Sequence, residues 1–386
     1  MITKRSAVIG LTLAGSMLIA GCGSSTAKTA AGPAVAKEGA LKGVCPDKVV
    51  VQTDWFPEAE HGATYQLMGA DYKTSKDTGA TLGTLTYQGK AQGVQLEIRA
   101  GGPFLGDQTV TSQMYKDKGI LLGFISTDDA VKFSNDTPVV AVVAPQEKSP
   151  QVILWDKKNH PTAKSIAEIA KEVDTITVFG GSTYIEYLIS AGVVPKEKVD
   201  FNYKGDKLLA KPGTEKTAHQ GFATAEPYAY SKLETGAINI GYGLVYDAGW
   251  TLYPESLSVR ADALKDAATK SCLKALVPMI QQSQIDYVKD HAAADKIIIS
   301  AVNTFDTFWK EDQGATDASV KEQLAIGMIG NGTNATLGDL EDARLADFIK
   351  KATPVFEADK IKVKAGLKPS DIADNQFIDK SISWKG

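Results

Sequence analysis

Cysteine and histidine are scarce in this chain: three of the first and four of the second in 386 residues. Cys22, Cys45 and Cys272 stand too far apart for the paired spacing of a zinc site, and His61, His160, His219 and His291 fall on dissimilar segments. No metal centre and no cofactor is expected. The nucleophile elbow G-x-S-x-G, the phosphate loop G-x-x-x-x-G-K-S/T and the zinc-protease helix H-E-x-x-H are all missing, so those chemistries have no motif to stand on. Repeats, heptads and long runs of one charge are absent too. The formal net charge is −4, and a mildly acidic balance argues against nucleic acid as a partner.

What is present begins with Lys4 and Arg5 and a charge-free run from Ser6 to Ala20. That run is too short and too rich in Gly and Ser for a comfortable membrane-spanning helix. It ends in Leu18-Ile19-Ala20-Gly21-Cys22, small residues followed by a Cys. The arrangement resembles the lipobox of bacterial lipoproteins. It implies a signal peptide over 1–21, acylation of Cys22 and a mature protein lipid-anchored on the extracytoplasmic face of the cell membrane. Residues 22–45 are mostly small or polar and read as a flexible tether. Outside the cytoplasm Cys45 and Cys272 can pair, which would staple the tether end to the body; two free buried thiols are the alternative.

The remaining length suits two lobes with real apolar cores. Val49 to Thr53, Gln95 to Ala100, Ile120 to Ile125 and Pro138 to Ala144 read as strands, separated by helical stretches at 62–71, 107–118 and a short helix capped by Ser126-Thr127-Asp128. The Gly/Thr-rich segment from Lys73 to Gly93 reads as an irregular loop or hairpin. This β-α-β succession predicts a mostly parallel, helix-covered sheet, in which ligands sit beyond the carboxyl ends of the strands. A second run of the same kind spans about 150–242, with strand-to-helix turns at Gly180-Gly181-Ser182-Thr183 and at Ala223 to Pro227. From Asp262 onward the pattern is mainly amphipathic helix. The expected division is 46–146 for the first part of lobe 1, 147–250 for lobe 2 and 251–386 for the helical second part of lobe 1.

The segment from Asp54 to Gly62, with Trp55-Phe56-Pro57 and then Glu58, Glu60 and His61, carries the most chemistry. Its aromatics either form an apolar wall beside hydrogen-bonding acids or pack inward while the acids solvate a loop. The Trp-Phe-Pro…His-Gly pattern, the Glu226-Pro227-Tyr228 segment and Tyr253-Pro254 resemble the NMT1/ThiY-like solute-binding proteins. These are carriers of thiamine pyrimidine precursors, and their family lies beside the nitrate, sulfonate and taurine carriers. The resemblance covers about 49–260, and the long 73–93 excursion departs from it. It implies an α/β fold of the periplasmic-binding-protein type II class: two α/β lobes, a hinge of two crossovers near 144–151 and 246–253, and an interlobe ligand cleft.

It further implies that Trp55 stacks on the ligand, that Glu58, Glu60 and His61 hydrogen-bond it or frame the cleft, and that Tyr65 closes the wall. Gly102 and Thr127 are candidates because they lie at strand exits. Ser182 and Thr183 sit at a helix start whose free N–H groups suit a carbonyl or an anion, or they simply cap a turn. Glu226 is either a ligand contact or a first-turn acid answering the helix dipole, and Tyr228 is the weakest candidate. The implied function is the solute-binding component of an ABC importer, not an enzyme, with a small-molecule ligand and the permease and ATPase subunits as partners. The acids favour a neutral or cationic ring compound over a small oxyanion. A flavin-like or sulfonate ligand, a sensing or adhesive lipoprotein, and a pyrimidine-precursor synthase are the alternatives.

Overall fold

Val49, Val50 and Val51 are β-branched and buried, and they form the middle of β1 (Lys48–Gln52). The computed structural model describes residues 38–106 and 108–386; the signal peptide, Cys22 and the first part of the expected tether lie outside them. The end of that tether is folded rather than flexible. Leu41 is fully buried and its N–H donates to the Gln92 carbonyl at 3.0 Å. Cys45 is disulfide-bonded to Cys272, with Cα atoms 4.6 Å apart. One apolar side chain in a polar stretch, together with a covalent bond, holds this segment on the body.

After β1 come α1 (Gly62–Tyr65), β2 (Lys73–Ser75), β3 (Ala80–Tyr87), β4 (Lys90–Arg99), α2 (Val110–Lys116), β5 (Leu122–Ile125), α3 (Thr127–Lys132) and β6 (Val139–Val143). α1 is one turn, not the helix expected over 62–71. Beyond it the chain pairs with β3: the Thr86 N–H donates to Leu67 and the Gly69 N–H to Thr84, both at 2.8 Å. Sheet pairing overrides helix propensity there, and it buries both Tyr65 and Met68. The 73–93 excursion is a hairpin. Gln88 and Gly89, both at positive φ, make its two-residue turn.

The chain then crosses to β7 (Gln151–Asp156), α4 (Ile166–Glu172), β8 (Thr175–Thr177), α5 (Thr183–Ser190), β9 (Val199–Asp200), β10 (Thr217–Phe222), α6 (Glu226–Ser231) and β11 (Ile240–Leu244). It returns as β12 (Ser256–Arg260) and ends in α7 (Ala267–Lys289), α8 (Ala292–Phe305), α9 (Gln313–Ala325), α10 (Asp342–Ala358) and α11 (Pro369–Ile372). The strands form two sheets. The seven-stranded sheet has the order β2-β3-β4-β1-β5-β12-β6 and the five-stranded sheet β11-β7-β10-β8-β9. Both are mixed rather than mostly parallel. Among the described strands β4-β1-β5 and β10-β8-β9 run parallel; the hairpin and the returning strand β12 add antiparallel neighbours to the larger sheet, and β7 runs antiparallel to β10 and β11 in the smaller.

Two segments join the sheets, 144–150 outward and 245–255 back. Arg344 on α10 grips both. Its guanidinium donates to the carbonyls of Thr251 at 2.8 Å and of Glu147 and Leu252 at 2.7 Å, and to the Glu147 carboxylate. The same group stacks 3.6 Å above the Tyr253 ring. Trp250 packs edge-on against Phe348 of α10, with ring centres 4.8 Å apart. α7 lays Leu273, Leu276, Val277 and Ile280 into the core of the larger sheet.

Candidate functional site

The loop after β1 and the exit of β4 are tied together. The Trp55 carbonyl accepts the Thr53 hydroxyl at 2.7 Å and the Gly101 N–H at 2.8 Å. This stands Trp55 half-buried over Gly102, which has φ +56°. A Cβ on Gly102 would lie 2.7 Å from the indole, so Gly102 is the floor under Trp55. Phe56 points inward and is buried, while Phe308 and Trp309 pack against Trp55 with ring centres 6.4 and 6.1 Å away. The Trp309 indole N–H donates to the Pro57 carbonyl at 3.2 Å. Phe56 is core, and Trp55 keeps an open side.

Beside the indole lies a group of carboxylates. Burial holds Glu58 well above the usual carboxylate range, and Glu60, Glu255, Asp54 and Glu311 raise it further. Glu255 is raised for the same reasons, by burial and then by Asp54 and Glu60. It also has φ +44°, a strained conformation for a residue with a side chain. Glu60 is raised by burial, which the nearby Thr224 and Ser319 hydroxyls and His61 partly offset; the Ser319 hydroxyl lies 3.5 Å from Glu60 Oε1. Burial and Glu60 push Glu311 up to about 8. Gln146 sits among them, its Nε2 donating to the Glu60 carbonyl at 2.7 Å and to Glu255 Oε2 at 2.9 Å. Glu255, Glu311, Gln146 and Trp309 come from distant segments, and no local motif marks them.

His61 is fully buried, with Nε2 2.9 Å from Asp54 Oδ1 and 3.9 Å from Glu58 Oε1. Asp54, His61 and Glu255 bring donor atoms within 4.8 Å of one another. A metal-bound imidazole normally donates its second N–H, yet His61 Nδ1 is buried without a partner. The trio is better suited to hydrogen bonding than to holding a metal.

The smaller sheet supplies the facing side. Thr183, at the start of α5, donates to Asp128 of α3 at 3.5 Å. The helix start that seemed open to an anion therefore faces a carboxylate of the protein itself. Ser182 turns inward, its hydroxyl 3.2 Å from Gln220 Oε1, which also accepts the Phe179 N–H and the Tyr184 hydroxyl. Glu226 accepts the Phe222 N–H at 2.6 Å, and burial pushes it up to about 7, with Glu60 adding to the rise. Tyr228 donates to Asp312 at 3.3 Å, and Tyr242 donates to Glu322 on α9.

Two candidates lie elsewhere. Tyr65 is buried in the core of the larger sheet and presents no wall. Thr127 is fully buried and exchanges hydrogen bonds with Tyr253: its hydroxyl accepts the Tyr253 N–H and its own N–H donates to the Tyr253 carbonyl, both at 3.0 Å. Its role is to fix the return segment. Two open cavities also lie away from the acids. One of about 650 Å³ borders α8 and one of about 480 Å³ borders Lys148, Tyr246 and Arg344 at the crossovers.

No protein-family model and no curated protein matches the chain. Solved structures do. A protein of Bordetella bronchiseptica is 14% identical with a TM-score of 0.51, over 86% of this chain and 96% of its own. The periplasmic aliphatic sulphonate binding protein SsuA from Escherichia coli is 14% identical with a TM-score of 0.50, over 83% of this chain and 95% of its own. At this identity the likeness speaks for architecture alone. With two α/β sheets joined by two crossovers, the chain has the fold of the type II periplasmic binding proteins.

Proposed function

We propose that this chain is the extracytoplasmic solute-binding component of an ABC importer, anchored through Cys22, and that Trp55 and the acids beside it receive a small organic ligand. What supports the reading is a half-buried indole in the same loop as Glu58 and Glu60, with Glu255 tied to that loop through Gln146 and Glu226 at the start of α6 beside the smaller sheet. An indole offers a stacking face, and carboxylates accept hydrogen bonds from ring nitrogens or amines. A neutral or cationic heteroaromatic nutrient, such as a thiamine pyrimidine precursor, fits that chemistry.

The Escherichia coli structure of the same fold is that of an aliphatic sulphonate binding protein. A sulfonate here would meet acids and few donors, which opposes it. Because the acids lie under the seam between the sheets, loading requires the lobes to part, and a ligand touching both sides favours closure. The reading is one of binding rather than catalysis. Tryptophan fluorescence of wild type and Trp55→Phe, titrated with an aminopyrimidine, tests the reading. A saturable change lost in the variant supports it. An unchanged signal in both, with a sulfonate binding instead, contradicts it.

A further inference from the structure

Two other inward-facing acids are paired with lysine or arginine. Glu97 binds Lys48 and Arg99, and Glu147 binds Arg344. The seam acids are different. Among the described residues Asp54, Glu58, Glu60, Glu226, Glu255 and Glu311 form no ion pair with lysine or arginine, and His61 is the one basic side chain touching any of them. Carboxyls gathered without a counter-ion are held toward their neutral forms, and a cation from outside the chain would favour the ionised ones.

A second observation does not depend on charge. Gln146 is 1% exposed and its amide lies inside the cluster, yet its Oε1 has no donor. Both partners of its Nε2 are acceptors, which fixes the orientation of the amide. Gln323 on α9 is equally buried with an orphaned Oε1, and its Nε2 lies 3.3 Å from Ser319, the residue whose hydroxyl reaches Glu60 at 3.5 Å. These two orphaned oxygens are spare acceptors, while the unpartnered Thr224 hydroxyl near Glu60 is a spare donor.

We propose that the natural ligand is an organic polycation, with at least two protonated nitrogens spaced along its length. The inference rests on the solute-binding reading and sharpens it. The acids come from several places in the fold: Asp54 and Glu58 lie against His61, Glu255 holds the Gln146 amide, Glu60 faces the Ser319 hydroxyl of α9 at 3.5 Å, and Glu226 starts α6 beside the smaller sheet. A single ammonium satisfies two or three carboxylates and leaves the rest facing one another. Two nitrogens answer more of them, and their N–H groups supply donors for the orphaned amides. The same arrangement discriminates against monoamines, because closing on one charge would bury unpaired acids.

The test is calorimetric titration of the full chain in detergent with putrescine, spermidine, butylamine, an aminopyrimidine and methanesulfonate. Putrescine and butylamine share a four-carbon body and differ by one amine. The expected result is that putrescine or spermidine binds at least about tenfold tighter than butylamine, and that Glu255→Gln removes most of that advantage. Glu58→Gln, checked like Glu255→Gln by melting temperature and circular dichroism, guards against a folding defect in the first variant. Equal binding of putrescine and butylamine overturns the proposal, as does no binding of either polyamine. Binding of the aminopyrimidine alone overturns it while leaving the solute-binding reading intact. Binding of methanesulfonate alone overturns both.

Discussion

Thr183 of the smaller sheet donates a hydrogen bond to Asp128 of the larger one at 3.5 Å, across the seam. Two more contacts share its polarity. Tyr228 donates to Asp312 at 3.3 Å and Tyr242 donates to Glu322. In each, the hydroxyl comes from the smaller-sheet side and the carboxylate from the larger, so closure is held by matched donors and acceptors even before a ligand arrives. A Tyr228→Phe/Tyr242→Phe double variant is expected to favour the open form, each bond contributing about 0.5–1.5 kcal/mol. Small-angle scattering reads this as a larger radius of gyration without ligand; an unchanged radius argues against the latch.

Trp55 and Gly102 make a paired prediction. Trp55→Ala should lose roughly 1–3 kcal/mol of ligand binding, the range for a ring stacked on an aromatic side chain. Gly102→Ala touches no ligand, but its methyl would sit 2.7 Å from the indole at a φ of +56°, displacing the ring. It should weaken binding in the same direction while leaving the melting temperature closer to wild type than a core substitution does. Calorimetry and a thermal melt on each variant check this. Normal affinity in Gly102→Ala would mean that the pose of Trp55 is unimportant.

The strand exits are legible in the sequence because each is a short, locally coded event. A β-branched run stops, and a Gly, Pro or polar cap follows, as at Thr53, Gly101 and Ser126. The partners of those exits are not legible. Glu255, Glu311, Gln146 and Trp309 reach the site through the return crossover, the α8–α9 loop and the first crossover, and nothing within a few residues of any of them signals it. Tyr65 misled because its helical spacing is real for one turn, after which pairing of Leu67 and Gly69 with β3 turns the chain inward. The Gly180–Thr183 turn misled in the opposite way. Its free helix start is real, but Asp128, far away in sequence, already lies against it.

Acidity gives a third prediction. Burial raises the carboxyls of Glu226 and Asp129 to about 7 and Glu311 to about 8. A carboxyl raised by folding contributes stability that is complete below its unfolded value and lost as pH climbs through the folded value. His219 runs the other way: burial lowers it to about 4, and its contribution is complete above its ordinary 6.5. Between pH 6.5 and 8 the carboxyls therefore dominate, and the ligand-free protein should melt at falling temperature. A cation favours the ionised carboxylates, so its affinity should rise over the same window with release of protons. Melting curves and calorimetry in buffers of different ionisation enthalpy measure both. A ligand-free melting temperature that is flat or rising there would contradict the burial of these acids.

The disulfide gives a fourth. Cys45 and Cys272 are 227 residues apart in sequence. Closing so long a loop constrains the unfolded chain, so Cys45→Ser/Cys272→Ser should lose about 2–5 kcal/mol of stability. Intact mass under non-reducing, denaturing conditions with an alkylating agent should show neither thiol modified. Alkylation of both would rule the bond out.

The central claim is that the seam around Trp55, Glu58, Glu60, Glu255 and Glu226 holds a nitrogen-bearing solute. Mass spectrometry of the small molecules released from natively purified protein tests it most directly, with wild type and Glu255→Gln/Trp55→Ala run side by side. The predicted result is a basic organic molecule released by wild type and absent from the variant. An anionic molecule, or the same molecule retained by both proteins in equal amount, would contradict it.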